Sequence, residues 1–181
     1  MNNLNLQESY ILLWIQNNLR NDALDTVMTF ISSLNNSGEI AIFTVIVLLL
    51  WRKYRKVGIT AMLSLAIEFV IVNMILKVAV ARYRPYVVNT LLNTLGEVPG
   101  DYSFPSGHTA SVFAVATVLL LEMPRKFGIP AMIFAVLMGI SRMYNAMHYP
   151  TDVLAGMVIG MATGVLFTKL MAEKELGNRR R

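Results

Sequence analysis

Five long apolar stretches constrain the fold of this chain more than any other feature. They cover residues 37–51, 57–76, 109–121, 127–140 and 153–167. At 1.5 Å per residue, a helix over residues 57–76 is about 30 Å long, which is the thickness of the hydrocarbon core of a bilayer. The other stretches are shorter, so each would recruit flanking polar residues or lie in locally thinned lipid.

The alternative to a membrane protein is a soluble bundle of five buried helices. It is disfavoured because none of the stretches carries an alternating polar face. The chain also has 55% hydrophobic residues and a mean hydropathy of +0.53. The pattern therefore predicts an all-α integral membrane bundle of five to six transmembrane helices. We expect one domain over residues 1–181, with the transmembrane bundle at 37–172.

The basic residues predict the orientation of this bundle. Most of the 16 lysines and arginines lie at 52–56, at 125–126 and in the C-terminal segment from Lys169 to Arg181. If each apolar stretch crosses once, these segments share one side, which should be the cytoplasm. Residues 77–105 and 142–152 then meet on the outer or periplasmic face of a multi-pass cell-membrane protein. Topology accounts for the net charge of +5, so the charge does not indicate a nucleic-acid partner.

The first 36 residues are more polar. Apolar residues recur at helical spacing on both sides of a polar string at 16–22. This pattern favours two amphipathic helices that lie in the membrane interface or pack on the bundle. A broken first transmembrane helix is the alternative. No basic segment followed by a small-residue cleavage site is seen, so a cleaved signal peptide is not expected.

Three short polar strings interrupt the apolar sequence, and they contain both histidines of the chain. Written with their spacings, they are Lys77-x6-Arg84-Pro85, Pro105-Ser106-Gly107-His108 and Ser141-Arg142-x5-His148-x3-Asp152. The predicted topology brings all three to the external face. Three cations, two imidazoles and a carboxylate are the groups needed to hold a phosphate, attack it and protonate its leaving group.

The first string supplies two cations. Lys77 and Arg84 are seven residues apart, so a continuous helix would place them on one face, with Pro85 ending or following it. They could bracket a phosphate, which arginine binds with a planar fork. The alternative is a pair of cations that extend to the membrane edge.

The other two strings mark helix starts. Ser106 is typical of an N-cap, Gly107 lets the backbone approach a ligand, and His108 would lie in the first turn. Pro150 predicts a second helix start, with His148 just before it and Asp152 in its first turn. The carboxylate could orient the imidazole and leave its other nitrogen as a nucleophile, or it could simply favour the helix dipole. Arg142 would be a third phosphate ligand.

Every position of these strings resembles the signature of the type 2 phosphatidic acid phosphatase and vanadium haloperoxidase superfamily, in its membrane lipid phosphatase branch. The resemblance implies hydrolysis without metal or cofactor. His148 would form a phosphohistidine with Asp152 orienting it, and His108 would protonate the leaving oxygen and then activate water. Five groups would stabilise the phosphate oxygens: Lys77, Arg84, Arg142, Ser106 and the amide of Gly107.

The expected substrate is therefore a lipid phosphate in the bilayer. Undecaprenyl diphosphate, phosphatidic acid and phosphatidylglycerol phosphate all fit, and undecaprenyl diphosphate is favoured because small members resemble carrier-lipid recycling enzymes. A lipid phosphotransferase or a vanadate-dependent oxidase would share the site, although a membrane site disfavours the oxidase. A transporter or structural membrane protein would leave the three strings unexplained.

Four further features carry expectations of their own. Residues 86–104 form a polar loop beside the predicted site, which could act as a lid or a headgroup selector. Arg82 is interpreted as a headgroup contact, and Glu68 and Asn73 as hydrogen-bonding partners between helices. A glycine face on the last helix predicts packing within the bundle, with a homodimer as the alternative; it comprises Gly156, Gly160 and Gly164.

Overall fold

The computed structural model describes residues 3–179, and side chains as far as residue 177, and within these residues it contains helices and no strands. The helices are α1 (Asn3–Leu19), α2 (Asp22–Ser33), α3 (Glu39–Leu50), α4 (Arg55–Phe69), α5 (Lys77–Val80), α6 (Pro85–Val88), α7 (Gly107–Glu122), α8 (Arg125–Tyr144) and α9 (Pro150–Arg179). Arg180 and Arg181, part of the predicted basic C-terminus, lie outside the described residues.

All five predicted apolar stretches are helical. Three segments of the described chain are long and apolar enough to cross a membrane, namely Arg52–Val88, Arg125–Tyr144 and Pro150–Gly177. The helices α3 and α7 are also apolar but shorter. The all-α membrane fold is confirmed, and the number of helices that cross the membrane stays a prediction.

Helix α7 forms the centre of the bundle. It packs against α4, α8 and α9, and every residue from Thr109 to Leu119 is buried. A helix that is apolar on all sides is stable only when it is surrounded, which explains why this stretch has no polar face. The short connection between α7 and α8 makes these two helices antiparallel neighbours. The start of α7, the end of α8 and the start of α9 therefore lie at one end of the bundle.

The basic segments lie together at the opposite end. The rings of Tyr54 and Phe127 are 6.4 Å apart, which joins the segments at 52–56 and 125–126. Lys56 Nζ lies 2.5 Å from Glu175 Oε1, which adds the C-terminal part of α9. The predicted grouping of the basic residues is therefore present in the fold, and the membrane side that they face stays a prediction.

The glycine face of α9 packs against α7. A Cβ atom added at Gly156 would lie 2.5 Å from the carbonyl oxygen of Ser106, and one at Gly164 would lie 2.7 Å from Thr117 Cβ. Gly160 faces α7 in the same way, and all three glycines are buried. Packing within the bundle is thus the correct alternative. A homodimer through this face is wrong, because α7 already occupies it.

The N-terminal segment forms two helices that pack on the bundle. Asn21 is the N-cap of α2, and its side chain accepts a hydrogen bond from the Leu24 amide at 3.0 Å. Helix α1 packs on α6 and α8, and its buried Leu12 lies in a cluster with Leu92 and Tyr149.

The helix that carries Lys77 does not continue to Arg84, so that expectation is wrong. A π-helical segment, Val70–Leu76, leads into the single turn of α5, and α5 ends where Ala81 takes a left-handed φ of 46°. The chain then runs extended to Arg84, and Pro85 starts α6. Lys77 and Arg84 are therefore brought together by a break in the helix and not by a shared helix face.

Candidate active site

The three polar strings meet at one cavity of about 910 Å³. Six of the eight predicted site residues line it: Lys77, Arg84, Gly107, His108, Arg142 and His148. Ser106 and Asp152 are fully buried and do not line it. One side of the cavity is apolar and comes from α3 and α4, with Ile42, Met62 and Phe69 among its residues. The rest of the wall comes from the connection at 35–38, from the segment at 70–73, from the loop at 97–101 and from α7. The cavity thus has a cationic end and an apolar side.

His148 lies at the cationic end, in the turn between α8 and α9. The backbone amides of Met147 and His148 donate to the carbonyl of Arg142, at 3.0 and 3.3 Å. His148 Nε2 lies 3.3 Å from Nη1 of Arg84. Because a guanidinium can only donate, Nε2 must carry the lone pair, which places the proton of a neutral imidazole on Nδ1.

The other face of the His148 ring is turned toward Asp152. Nδ1 lies 3.6 Å from Asp152 Oδ2, just beyond hydrogen-bond distance. The same oxygen accepts the Tyr149 amide at 2.9 Å and the hydroxyl of Ser103. Asp152 therefore fixes the turn that presents His148, and Nδ1 of His148 has no hydrogen-bond partner among the described residues.

The surroundings of His148 favour its neutral form. Burial lowers the pKa of His148 well below its usual value of 6.5, and the nearby charges of Arg84, Arg142 and Lys77 lower the pKa further. A neutral imidazole with its lone pair on Nε2 is the form that a nucleophile requires.

Arg142 is a buried cation, and some of its hydrogen-bond donors have no partner among the described residues. Its Nη1 donates to Ser32 Oγ at 2.5 Å, whereas Nε and Nη2 have no hydrogen-bond partner among the described residues. Only 2% of the residue is exposed. Buried polar groups are nearly always paired, and a buried charge is costly without a counter-charge. Arg142 is therefore arranged to bind an anion in the cavity.

The start of α7 forms another wall of the cavity. Ser106 is the N-cap, as predicted, and its Oγ lies 2.9 Å from Thr109 Oγ1. The structure thus gives the Ser106 hydroxyl a capping role behind the cavity wall. A Cβ atom at Gly107 would lie 3.7 Å from Lys77 Nζ, so the Gly107 backbone borders the cationic end. His108 Nε2 lies 3.5 Å from Asn36 Oδ1.

Asp101 was missed by the sequence analysis. Its carboxylate forms ion pairs with Lys77 Nζ and Arg84 Nη2, and its carbonyl accepts Arg84 Nε at 2.8 Å. Burial alone would raise the pKa of Asp101, but its hydrogen bonds and ion pairs with the two cations outweigh burial and lower the pKa to about 2. Here a carboxylate from the polar loop holds two of the three cations that were predicted to bind phosphate. In the sequence, the only indication of this role is that Asp101 is an acidic residue between the first two polar strings.

Arg82 lies behind the site and not at the surface, so its interpretation as a headgroup contact is wrong. Its Nη1 donates to Asp152 Oδ1 at 2.5 Å, and its Nη2 pairs with the carboxylate of Glu8. Glu8 was also missed. Glu68 and Asn73 line the cavity, but Glu68 Oε1 has no hydrogen-bond partner among the described residues, so the predicted helix-to-helix bond is not seen there.

Comparison with known proteins identifies the family of this chain. The PAP2 superfamily profile matches residues 57–175. An undecaprenyl-diphosphatase of Sulfolobus acidocaldarius is 36% identical over 137 residues, which cover 76% of this chain and 66% of that protein. The undecaprenyl-diphosphatase BcrC of Bacillus subtilis is 34% identical over 155 residues, covering 81% of this chain and 75% of that protein.

The fold has a close match among solved structures. A transmembrane PAP2-type phosphatidylglycerolphosphate phosphatase of Bacillus subtilis superposes with a TM-score of 0.79, over 96% of this chain and 88% of that one, at 26% identity. The family profile covers all three polar strings, and the three strings form one cationic site in a membrane bundle. The chain therefore belongs to the PAP2 superfamily, in its membrane lipid phosphatase branch.

Proposed function

We propose that this protein is a metal-independent lipid phosphate phosphatase that works through a phosphohistidine on the external face of the cell membrane. One observation supports this most directly. The lone pair of a buried neutral imidazole lies among three cations, at the polar end of a cavity whose side is apolar. A lipid phosphate fits such a cavity, with its phosphate among the cations and its chain along α3 and α4.

The first chemical step is attack by His148. Its Nε2 lone pair forms a bond to phosphorus as the bond from phosphorus to the leaving lipid oxygen breaks. His108 gives its proton to that oxygen. Lys77, Arg84 and Arg142 hold the equatorial phosphate oxygens, whose negative charge would replace the carboxylate of Asp101. The imidazole becomes positively charged as the new bond forms, and Asp152 accepts its Nδ1 proton in a hydrogen bond.

The second step is hydrolysis of the phosphohistidine. His108, now without its proton, takes a proton from water, and the water oxygen bonds to phosphorus. The N–P bond breaks, inorganic phosphate leaves, and His148 is again neutral. A lipid phosphotransferase would differ only in using a lipid hydroxyl in place of water.

The proposed substrate is undecaprenyl diphosphate. Two relatives carry that activity in their names, and each aligns with more than 70% of this chain. The structural relative is named for phosphatidylglycerolphosphate, so lipids of both kinds belong in the test. Phosphatidic acid is the third candidate.

Phosphate release from a panel of these three lipids tests the proposal. We expect the wild-type protein to release phosphate and to accumulate acid-quenched phosphoprotein at early times. The His148→Ala variant should do neither, whereas His108→Ala should still form some phosphoprotein. Release of phosphate by His148→Ala, or phosphoprotein in that variant, would contradict the assigned nucleophile.

A further inference from the structure

A buried network of ion pairs and hydrogen bonds surrounds Asp152, and its other members have no part in the two chemical steps. It joins Glu8 of α1, Arg82 of the extended link after α5, and Thr151 and Asp152 of the first turn of α9. We propose that Glu8 and Arg82 are positioning residues that hold Asp152 for its contact with His148. The inference rests on the proposed function, and it makes the N-terminal helix part of the reaction machinery.

The guanidinium of Arg82 is fixed on every side. Besides Asp152 Oδ1, Nη1 reaches Thr151 Oγ1 at 2.7 Å, and Nε donates to Asn5 Oδ1 at 3.0 Å. The guanidinium carbon lies 3.8 Å from the centroid of the Tyr149 ring. A planar fork held by stacking and several hydrogen bonds can present its charge to Asp152 in only one orientation.

Glu8 holds the same helix turn from the other side. Its Oε1 accepts the Thr151 amide at 2.8 Å, and its Oε2 accepts the Thr151 hydroxyl at 2.9 Å. Amides in the first turn of a helix have no partner within the helix. Glu8 therefore caps α9 from a different helix and fixes the turn that carries Asp152.

Two carboxylates, those of Glu8 and Asp152, share the single positive charge of Arg82. The side chains of Arg82, Glu8 and Asp152 are 9%, 7% and 0% exposed, so the three charges interact with little screening. Because Glu8 neutralises part of the charge of Arg82, Asp152 is not fully neutralised. Its negative charge can then attract the Nδ1 proton of His148, whose Nδ1 lies 3.6 Å from Asp152 Oδ2. A buried ion pair is weak support for stability by itself, whereas an oriented, incompletely neutralised carboxylate serves the attack step.

The test compares Glu8→Gln with Ser9→Ala in the full-length protein. Ser9 is an adjacent buried residue of α1 whose hydroxyl accepts Asn89 Nδ2 at 3.2 Å, so its loss perturbs α1 without touching α9. For undecaprenyl diphosphate we expect kcat to fall about tenfold in Glu8→Gln, as for other groups that orient a catalytic side chain, with KM within about twofold of wild type. Ser9→Ala should keep the wild-type kcat.

Two variants of Arg82 complete the kinetic test. Arg82→Met should lose at least as much activity as Glu8→Gln, and Arg82→Lys, which keeps the charge and loses the fork, should recover part of it. The double variant of Glu8→Gln and Arg82→Met should lose no more than Arg82→Met alone, because coupled residues are not additive. Independent, additive losses, or equal losses in Glu8→Gln and Ser9→Ala, would overturn the inference.

A spectroscopic readout separates positioning from folding. The chain has two histidines, so nitrogen-15 labelling of histidine gives one pair of ring signals for each, and His148→Ala identifies those of His148. Arg84 keeps the lone pair on Nε2, so every variant should keep the Nδ1–H tautomer. The Nδ1 signal of His148 should match wild type in Ser9→Ala and should shift in Glu8→Gln, because Asp152 moves relative to the Nδ1 proton. An unchanged Nδ1 signal in both Glu8→Gln and Arg82→Lys would overturn the inference. If wild type released no phosphate from any lipid, the proposed function would fail, and the Nδ1 signal would still decide on the network.

Discussion

Replacing Asp101 by asparagine should strengthen inhibition by inorganic phosphate. In the structure the Asp101 carboxylate lies on Lys77 and Arg84, where the proposed mechanism places substrate oxygens. A free phosphate must therefore displace this carboxylate before it can bind both cations. Asparagine has nearly the same shape but no charge, so the Asp101→Asn variant removes the competing anion and leaves the cations in place.

The size of the effect follows from the pKa of Asp101. It lies at about 2, against a usual value of 3.8, because Lys77 and Arg84 favour the ionised form more than burial opposes it. A shift of that size corresponds to roughly 2.5 kcal/mol before screening. Since the side chain is 49% exposed, solvent screening leaves about 1 kcal/mol, which is about a fivefold gain in phosphate affinity.

The assay is inhibition of lipid hydrolysis by phosphate and by vanadate at neutral pH, where Asp101 is ionised. Glu97→Gln is the matched control, because it removes one negative charge from the same loop, where Glu97 Oε2 lies 3.4 Å from an amide nitrogen of Asn36. We expect the inhibition constants to fall about fivefold in Asp101→Asn and to change little in the control. Weaker inhibition in Asp101→Asn would refute the reasoning, because Asp101 would then help to bind the anion.

Three further predictions address acid–base chemistry, metal dependence and topology. Because burial and three cations hold the pKa of His148 well below 6.5, the His148 imidazole should stay neutral when the pH is lowered through 6.5. The burst of nitrophenolate that His108→Ala releases from an aryl phosphate should therefore stay constant over this pH range. A burst that falls with a midpoint near pH 6.5 would contradict the prediction. Hydrolysis should continue in excess EDTA and be inhibited by vanadate, and complete loss that magnesium restores would contradict the mechanism. In intact cells an impermeant thiol reagent should label Asn93→Cys and not Lys126→Cys in this cysteine-free chain, and the reverse labelling would invert the topology.

Local rules were enough to place part of the site from the sequence. Ser106 and Pro150 mark helix starts by their residue types alone, and these starts position His108, His148 and Asp152. The apolar stretches identified the membrane helices for the same reason, since burial in lipid demands a composition that no loop has. These features depend on a few consecutive residues, so they can be predicted without knowledge of the tertiary structure.

The rest of the site depends on contacts between distant residues. Glu8 meets Arg82 and Thr151 only because α1, packed on α6 and α8, brings its side chain to the start of α9, and no spacing rule relates positions so far apart. Asp101 reaches Lys77 through the path of an irregular loop. The end of α5 was missed because alanine rarely takes a left-handed φ, so the residue type at Ala81 does not mark the break.

The glycine contact between α7 and α9 has a consequence for how the enzyme responds to its membrane. The two helices touch at three glycines over little more than two helical turns, and the Ser106 amide donates to the carbonyl of Asp152 at 3.0 Å. Sliding of one helix along the other would push backbone into backbone, so these helices must tilt as a single body. We therefore expect a thicker or thinner bilayer to be accommodated by the other helices and by the far end of α9. The distance between His108 and Asp152 should then depend little on bilayer thickness.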